Sequence, residues 1–340
     1  MPSRTGFGYL VDSRYRALAT MNCTNRSVQT LHRWFPALIL VSALTAAFLS
    51  ACDKKGSREP TEPTPTLDQP RPSDPGADSD VAIQTIPVAG NVYMLIGRGG
   101  NIGVSVGPDG ILIIDDQFAP LADKIRAAVT ALSSGKLAYV LNTHHHGDHT
   151  GGNEIFGKEG TIIAHDNVRK NLVGASSPAA ALPIITFDKT LTLHFNGEVI
   201  RAVHFPHGHT DGDSIIFFEN SKVVHMGDHF FNGRFPFVDM DSGGNALAYE
   251  ENVRTALEMI PADARIIPGH GALATRDDLV AFHTMLAETI AIVREQVGQG
   301  KSLADIQKKG LPARWKSWGE GFISTDKWLT TIHDSLKKPG

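Results

Sequence analysis

Cysteine is nearly absent from this chain, which contains only Cys23 and Cys52 among its 340 residues. Both precede the part of the sequence in which apolar residues recur with the periods of strands and helices. The folded part therefore has no disulfide framework and no thiolate ligands for a metal. Any metal site in it has to be built from histidine and carboxylate side chains.

The chain also has no large excess of positive or negative charge. The 32 lysines and arginines nearly balance the 36 aspartates and glutamates, which leaves a formal net charge of −4. This balance gives no electrostatic reason to expect nucleic acid as a partner. The composition is otherwise that of an ordinary soluble globular protein, and the length suits one or two domains.

The N-terminal segment lacks the roughly 20 consecutive apolar residues that a membrane-spanning helix needs. Its uncharged run, 37–49, is thirteen residues long, and it ends at Leu49-Ser50-Ala51-Cys52. This tetrapeptide is similar to a bacterial lipobox, at which the signal is cut before a cysteine that is then lipidated. We predict that residues 1–52 are a signal peptide and that the protein is an exported lipoprotein, anchored to a membrane and facing the periplasm. An uncleaved anchor and a plain signal peptide are the alternatives.

Residues 53–80 contain six prolines and almost no large apolar side chain. Such a segment cannot bury enough surface to offset the entropy that is lost when its backbone is ordered. It is predicted to be a disordered, proline-rich linker that tethers a folded domain of residues 81–340.

Strand and helix patterns alternate along this domain. Strands are predicted at Val92–Ile96, Gly103–Val106, Ile111–Ile114, Ala138–Leu141, Thr161–Ala164, Lys189–Phe195, Glu198–His204, Ser214–Glu219 and Lys222–His225. Helices are predicted at Leu121–Leu132, Tyr249–Met259 and Asp277–Val297. The C-terminal apolar stripe of Trp328, Leu329, Ile332 and Leu336 predicts one more helix, packed on its own core or on a partner. This interleaving favours an α/β (or α+β) fold in which two sheets are flanked by helices.

The most informative stretch is Thr143 to Asn153, which reads THHHGDHTGGN and follows an apolar strand. In extended backbone His144 and His146 point to the same side, whereas His145 points away. A turn at Gly147 then brings Asp148 and His149 towards a second position nearby. Because the tract lies in mid-chain and is interrupted by glycine and aspartate, it is not an expression tag. It predicts a metal site with imidazole and carboxylate ligands.

This stretch resembles the His-x-His-x-Asp-His signature of the metallo-β-lactamase superfamily. Three later stretches resemble the remaining ligand motifs of that superfamily and come in the same order: Gly208-His209-Thr210, Gly227-Asp228 and Pro268-Gly269-His270-Gly271. The resemblance covers about residues 81–340 and implies an αββα sandwich. The exported class-B-like branch of the superfamily is the most similar.

The resemblance also implies two zinc ions per chain. The ligands of one zinc would be His144, His146 and His209. The ligands of the other would be Asp148, His149 and His270, and Asp228 would bridge the two ions. Asp115 matches an aspartate that supports the metal loop without binding the metal, although it could instead be an ordinary turn residue. His225 and His229 match no ligand position and are predicted to be structural.

With this site, the resemblance implies a hydrolase in which a metal-bound hydroxide attacks a carbonyl carbon. Asp148 would also orient this nucleophile. The best-known class-B lactamases carry cysteine where this chain has Asp228, and the lysine that follows it in them is absent here. With aspartate at this position, the chain resembles lactonases and thioesterases of the hydroxyacylglutathione type. Since an exported domain would meet little glutathione, a cyclic amide or ester (β-lactam-like or lactone) is the preferred substrate. A mononuclear-iron dioxygenase of the persulfide type and a non-catalytic metal-binding module are further alternatives.

Two residues outside the metal ligands are predicted to bind a small-molecule substrate. Arg234 lies in the loop that follows Asp228, where its planar guanidinium could hold a substrate carboxylate through two hydrogen bonds. Asn245 could donate a hydrogen bond to the developing oxyanion. The alternative for Arg234 is a solvated or structural loop residue. Nothing in the sequence predicts the oligomeric state.

Overall fold

A computed structural model describes residues 80–338 of the chain. The predicted signal segment with its lipobox at Cys52 lies outside the described residues, as does the predicted linker apart from Asp80. Both assignments therefore stay predictions. Among residues 80–338, no helix combines the length and the apolar character that crossing a membrane requires.

The first sheet contains seven strands that follow one another in chain order across the sheet. They are β1 (Gln84–Ala89), β2 (Val92–Ile96), β3 (Ile102–Gly107), β4 (Gly110–Ile114), β5 (Leu137–Leu141), β6 (Thr161–His165) and β7 (Ile185–Phe187). The first four strands pair antiparallel through short turns. The strands from β4 to β7 pair parallel, because a helical segment separates each from the next.

The second sheet has six strands, in the order β13-β12-β11-β10-β9-β8. They are β8 (Thr190–Phe195), β9 (Glu198–His204), β10 (Ser214–Phe218), β11 (Val223–His225), β12 (Arg265–Ile267) and β13 (Ala274–Thr275). Only the β11–β12 pair is parallel. It is also the pair whose connection contains a long helix, since α5 (Ala246–Met259) lies between the two strands.

Seven further helices complete the described part. They are α1 (Ala122–Leu132), α2 (Gly147–Thr150), α3 (Asn153–Phe156), α4 (Asp166–Gly174), α6 (Arg276–Gly298), α7 (Leu303–Lys309) and α8 (Thr325–Ser335). Short 3-10 turns occur between them, including Gly227–His229 and Ala313–Glu320. The helix α6 begins at a capping box, in which Thr275 and Asp278 satisfy each other's backbone N–H groups.

The elements form four layers, helix–sheet–sheet–helix. Inward-facing side chains of both sheets, such as Leu112 and Ile216, form the central core. Alternate residues such as Ile113 face outward and pack against α1. On the other side of the sandwich, α5, α6 and α8 cover the second sheet with residues such as Phe282. This arrangement confirms the predicted αββα sandwich.

The predicted elements are all present, with ends shifted by a few residues, but several short ones were missed. The strand β1 contains Pro87, which the ladder tolerates because β1 is an edge strand. Strands β12 and β13 are too short to show a period. The C-terminal stripe packs on the chain's own core, since Trp328 is fully buried in α8 and its Nε1 donates to Thr289 Oγ1 over 3.0 Å.

Candidate metal centre and active-site pocket

The predicted ligands and their supporting aspartate all follow the carboxyl ends of strands. Asp115, the supporting residue, comes directly after β4, the tract that begins at His144 follows β5, and His209 follows β9. Asp228 lies three residues beyond β11, and His270 lies three residues beyond β12. Both sheets thus deliver side chains to the same edge of the sandwich. Backbone hydrogen bonds join the two sets of loops, for example Ser214 N to Thr143 O over 2.8 Å.

The first group of ligand atoms belongs to His144, His146, His209 and Asp228. One nitrogen or oxygen from each lies within 4.8 Å of the others, and all four residues are buried. The closest approach is between His209 Nε2 and His146 Nδ1, which are 2.8 Å apart.

The opposite ring nitrogens of these histidines are fixed by the surrounding protein. His146 Nε2 lies 3.0 Å from Asp239 Oδ2, and His209 Nδ1 donates to the Phe237 carbonyl over 2.8 Å. Thr143 Oγ1 donates to Asp115 Oδ2, so it accepts a hydrogen bond from His144 Nδ1 over 3.0 Å. Each outer nitrogen therefore carries the proton, and each inner nitrogen presents a lone pair to the site.

The second group contains Asp148, His149 and His270, whose ligand atoms also lie within 4.8 Å of one another. His149 Nδ1 is 2.7 Å from Asp115 Oδ2, which leaves Nε2 facing the group. His270 Nε2 is 3.2 Å from Asp148 Oδ2. Asp115 is fully buried, with a φ of 63°, and it also accepts the Thr143 N–H over 2.8 Å. It thereby supports both ligand groups from behind.

Asp228 lies between the two groups and presents one oxygen to each. Its Oδ2 faces the first group, 3.4 Å from His209 Nε2 and 3.8 Å from His144 Nε2. Its Oδ1 faces the second group, 3.0 Å from His149 Nε2 and 3.5 Å from His270 Nε2. Behind it, Tyr249 Oη donates to the Asp228 backbone carbonyl over 2.6 Å and holds the turn in place.

Three buried ligand atoms of these groups have no hydrogen-bond partner: His144 Nε2, His149 Nε2 and Asp228 Oδ1. The last two lie close together, but their geometry is not that of a hydrogen bond. Leaving a buried polar atom unsatisfied costs roughly 1–3 kcal/mol. A divalent cation in each group would satisfy them, and a set of imidazoles and carboxylates suits zinc. The residues present therefore fit the implied metals.

The electrostatics of the two groups differ. In the first, burial lowers the pKa of His144 and lowers that of His209 to about 4, so both imidazoles are neutral and can bind metal. In the second, burial opposes protonation, but the carboxylates of Asp228 and Asp148 outweigh it and raise the pKa of His270 to about 9. The same carboxylates raise the pKa of His149. The second group therefore attracts positive charge strongly.

Two glycines allow the loops to approach this closely. A Cβ on Gly100 would lie 2.1 Å from the His149 ring, and a Cβ on Gly269 would lie 2.1 Å from Asp228 Oδ1. Both distances are far inside van der Waals contact. The glycine-rich loop 97–100 thus makes room for the metal ligands, a role that its sequence did not indicate.

A pocket of about 180 Å³ opens directly onto both ligand groups. Its walls contain one ligand or more from each group, two arginines and a set of large apolar side chains: Arg98, Phe118, His146, Asp148, Asp228, Phe231, Arg234, Phe235, Phe237, His270, Phe322 and Ile323. Arg234 thus lines the same pocket as ligands of both groups. Arg98 lies over the Phe118 ring at 4.4 Å.

Asn245 does not reach this pocket, and its predicted role as an oxyanion donor is wrong. Its Oδ1 accepts the N–H groups of Leu247 and Ala248, so the residue is the N-cap of α5. Its Nδ2 donates to the carbonyl of Lys338 over 3.2 Å. The start of α5 therefore occupies one end of the amide, and the C-terminal region occupies the other.

Histidines outside the motif belong to other networks. His225 Nε2 donates to the Asn101 carbonyl over 3.0 Å, and His229 stacks on Tyr249 with ring centroids 5.3 Å apart. Neither belongs to a ligand group among residues 80–338. His145 points away from both groups, towards Ser242 Oγ at 3.4 Å. Asp239, whose carboxylate contacts His146, was not predicted from the sequence, because no motif marks it.

Comparisons with known proteins agree with this geometry. A sequence model of the metallo-beta-lactamase superfamily matches residues 85–270. A hydroxyacylglutathione hydrolase from Nitrosococcus oceani is 30% identical over 152 residues, which are 44% of this chain and 54% of that protein. The lactamase-like protein aptB from Emericella nidulans is 28% identical over 211 residues, 58% of this chain and 62% of its own. The chain thus spans little more than half the length of the curated relatives it matches.

Solved structures share the fold. A metallo-beta-lactamase from Pontibacter korlensis superposes with a TM-score of 0.54 at 13% identity and covers 60% of this chain and 99% of its own. The DIM-1 metallo-beta-lactamase gives a TM-score of 0.54 at 18% identity, with 62% and 99% covered. Together with the family match over more than half of the sequence, the sandwich and the two ligand groups at its edge show that this chain belongs to the metallo-beta-lactamase superfamily.

Proposed function

We propose that this protein is a hydrolase that uses two zinc ions per chain. The observation that carries the proposal is the position of Asp228, which presents one carboxylate oxygen to each of two ligand groups. A zinc ion in each group would balance the charge of this buried carboxylate and would leave the surrounding imidazoles neutral. A single-metal site would leave the second group, with Asp148 and His270, without a function.

Bound zinc would polarise a carbonyl oxygen and lower the pKa of water, so that a nucleophile forms near neutral pH. The protein would then position the reactants. Burial would raise the pKa of Asp148, but the neighbouring His149 and His270 lower it to about 2. This carboxylate therefore stays ionised at neutral pH, and it can accept a hydrogen bond from the attacking water and orient it.

The substrate that we propose is a cyclic amide or ester, such as a β-lactam-like compound or a lactone. The small pocket beside the ligands supports a compact substrate, and its walls are largely aromatic. Arg234 at the wall of the pocket would bind a carboxylate of the substrate.

A thioester hydrolase of the hydroxyacylglutathione type is the second candidate. The relative from Nitrosococcus oceani bears that name, and others with the same name match this chain. Turnover of a lactone, a β-lactam and S-lactoylglutathione by the zinc-loaded protein would separate the two candidates. Ring opening without thioester cleavage would support the first, and the reverse would support the second.

Metal analysis of the purified protein tests whether the protein binds two zinc ions, on which the proposed hydrolase function depends. We expect two zinc ions per chain, lost together with activity on treatment with a chelator and regained on adding zinc. One iron per chain with oxygen-dependent turnover would instead identify a mononuclear-iron dioxygenase. Two bound zinc ions without hydrolysis of any carbonyl substrate would leave a metal-binding module, and the proposed hydrolase would then be wrong.

We also propose that the protein is an exported lipoprotein held at a membrane by the lipidated Cys52. Several acyl chains anchor a protein stably, whereas one chain gives only marginal binding. The full-length protein should therefore fractionate with membranes, and Cys52→Ser should be released into the soluble exported fraction or remain unprocessed. Wild-type protein that is entirely soluble would refute the anchor without affecting the hydrolase proposal.

A further inference from the structure

The outer wall of the pocket comes from a part of the chain beyond the family match. That match ends at residue 270, whereas Phe322 and Ile323 both line the pocket. They lie in the short segment between the 3-10 turn Ala313–Glu320 and α8. The substrate pocket is therefore shaped partly by residues that the metal site does not require.

Phe322 is unusual because it is large, apolar and 57% exposed. The segment that carries the ring is nevertheless anchored to the protein. Ile323 is only 4% exposed, and the Trp318 carbonyl in the preceding turn accepts the Phe235 N–H over 3.0 Å. A firmly held segment thus presents a largely exposed aromatic ring at the mouth of the pocket, and Lys327 Nζ lies over this ring at 5.4 Å from its centroid.

Aromatic contacts run without a break from the metal ligands to this residue. The Phe237 ring lies 5.8 Å from both the His146 and the His209 rings, measured between centroids. Phe322 lies 6.3 Å from Phe237 in an edge-to-face arrangement with an interplanar angle of 81°. A group attached to a carbonyl carbon near the first ligand group would therefore lie against Phe237 and then against Phe322.

Arg234 lies on the same lip of the pocket. A Cβ placed on Gly321 would contact Arg234 Cβ at 3.5 Å, so the backbone that carries Phe322 packs against this arginine. A cationic fork and an aromatic ring are thus held side by side at the mouth. This combination suits a ligand that carries a flat apolar group and a carboxylate.

We infer that Phe322 determines specificity and that the substrate carries an aromatic ring next to its scissile carbonyl, with a carboxylate within reach of Arg234. The inference rests on the proposed hydrolase function for its scissile carbonyl. Phe237 and Phe322 would form one continuous wall against which the ring of the acyl group packs. Compounds with a small acyl group would gain nothing from Phe322.

The test compares Phe322→Ala with the wild-type protein on a pair of esters that differ only in the acyl group, phenylacetyl against acetyl. For the zinc-loaded full chain, we expect kcat/KM for the phenylacetyl ester to fall about tenfold, as for the loss of one well-packed aromatic contact. The value for the acetyl ester should stay the same. The matched control is Ile184→Ala, which removes another exposed apolar side chain that does not line this pocket and should change neither value.

A second measurement does not depend on turnover. Calorimetric binding of phenylacetate, with acetate as the reference, should weaken about tenfold in Phe322→Ala and stay unchanged for acetate. If the wild-type protein hydrolyses no ester but this binding difference is present, the hydrolase proposal fails, whereas the role of Phe322 in binding an aromatic ring stands. If the esters are hydrolysed and Phe322→Ala affects both acyl groups equally or neither, the inference is overturned and the hydrolase proposal stands.

Discussion

Asp239 Oδ2 lies 3.0 Å from Nε2 of His146, and this contact sets which nitrogen of His146 faces the metal site. The carboxylate accepts the proton of Nε2, so the lone pair of Nδ1 points towards His209. We predict that Asp239→Ala lowers zinc affinity 10- to 100-fold, as is typical for loss of a partner behind a metal-binding histidine. Competition with a chromophoric chelator would measure this change without reference to activity.

Asp239→Asn should retain part of the affinity, because an amide oxygen can still accept from Nε2. The control is Asp241→Ala, two residues away in the same loop and exposed. Equal zinc affinity in Asp239→Ala and Asp241→Ala would show that Asp239 does not position His146.

Asp228→Ala is predicted to reduce bound zinc by orders of magnitude, because it removes the one carboxylate that faces both ligand groups. His225→Ala should instead act on stability. His225 is fully buried and makes hydrogen bonds to Asn101 O and Gly227 N, so its loss should cost about 2–4 kcal/mol of unfolding free energy. Zinc content and denaturant unfolding would be measured for both variants. Equal loss of zinc would contradict the assignment of Asp228 as the bridge.

Arg234→Ala should discriminate between acidic and neutral substrates. Loss of a charge-assisted hydrogen bond costs about 2 kcal/mol, which is a fall of some 30-fold in kcat/KM for the substrate that carries a carboxylate. The matched neutral substrate should be affected little. An equal effect on both, or none, would leave Arg234 as a residue that only supports Gly321 and the mouth of the pocket.

A stacked histidine pair predicts how stability depends on pH. The rings of His165 and His204 lie 3.6 Å apart, and burial together with the neighbouring His165 lowers the pKa of His204 to about 4. Burial also lowers the pKa of His165. Since the unfolded chain takes up these protons near pH 6.5, the stabilisation is complete above that value and is lost as the pH falls towards 4. We expect a loss of about 1 kcal/mol, a value reduced by solvent screening because His204 is only partly buried.

His204→Phe should keep the stacking and flatten this dependence between pH 6.5 and pH 4. His194→Phe, an exposed change on the neighbouring strand β8, should leave it as in the wild type. Denaturant unfolding curves at several pH values would compare the two. A slope that is identical in His204→Phe and the wild type would assign the pH dependence to other groups.

The long, continuously apolar strands and the residues of the two ligand groups could be predicted from the sequence, because each depends on a short stretch of consecutive residues. The strand β4 is buried on both faces and reads as an unbroken apolar run, and the ligand motifs are short and ordered. Contacts that form only on folding could not be predicted in this way. Asp239 is 93 residues from His146 in the chain, and no sequence motif near either residue indicates that the two side chains are in contact.

Asn245 shows a different kind of error. An asparagine directly before an apolar helical pattern is a local N-cap signal, and the structure bears this out at α5. The helix was predicted to begin at Tyr249, so the signal lay outside the predicted element and Asn245 was assigned to chemistry instead. Phe322 could not be predicted at all, because its place at the pocket depends on how the C-terminal helices pack on the second sheet.

The origin of the ligands in both sheets has a mechanical consequence. The tract from His144 to His149 follows a strand of the first sheet, whereas His209, Asp228 and His270 follow strands of the second. Two zinc ions shared among them would act as cross-links between the halves of the sandwich. An ion that binds the folded chain but not the unfolded chain adds to the free energy of unfolding, and this contribution grows with the logarithm of the free ion concentration. Scarcity of zinc would then shorten the protein's lifetime as well as lower its activity, because the metal-free protein would unfold, and be degraded, more readily.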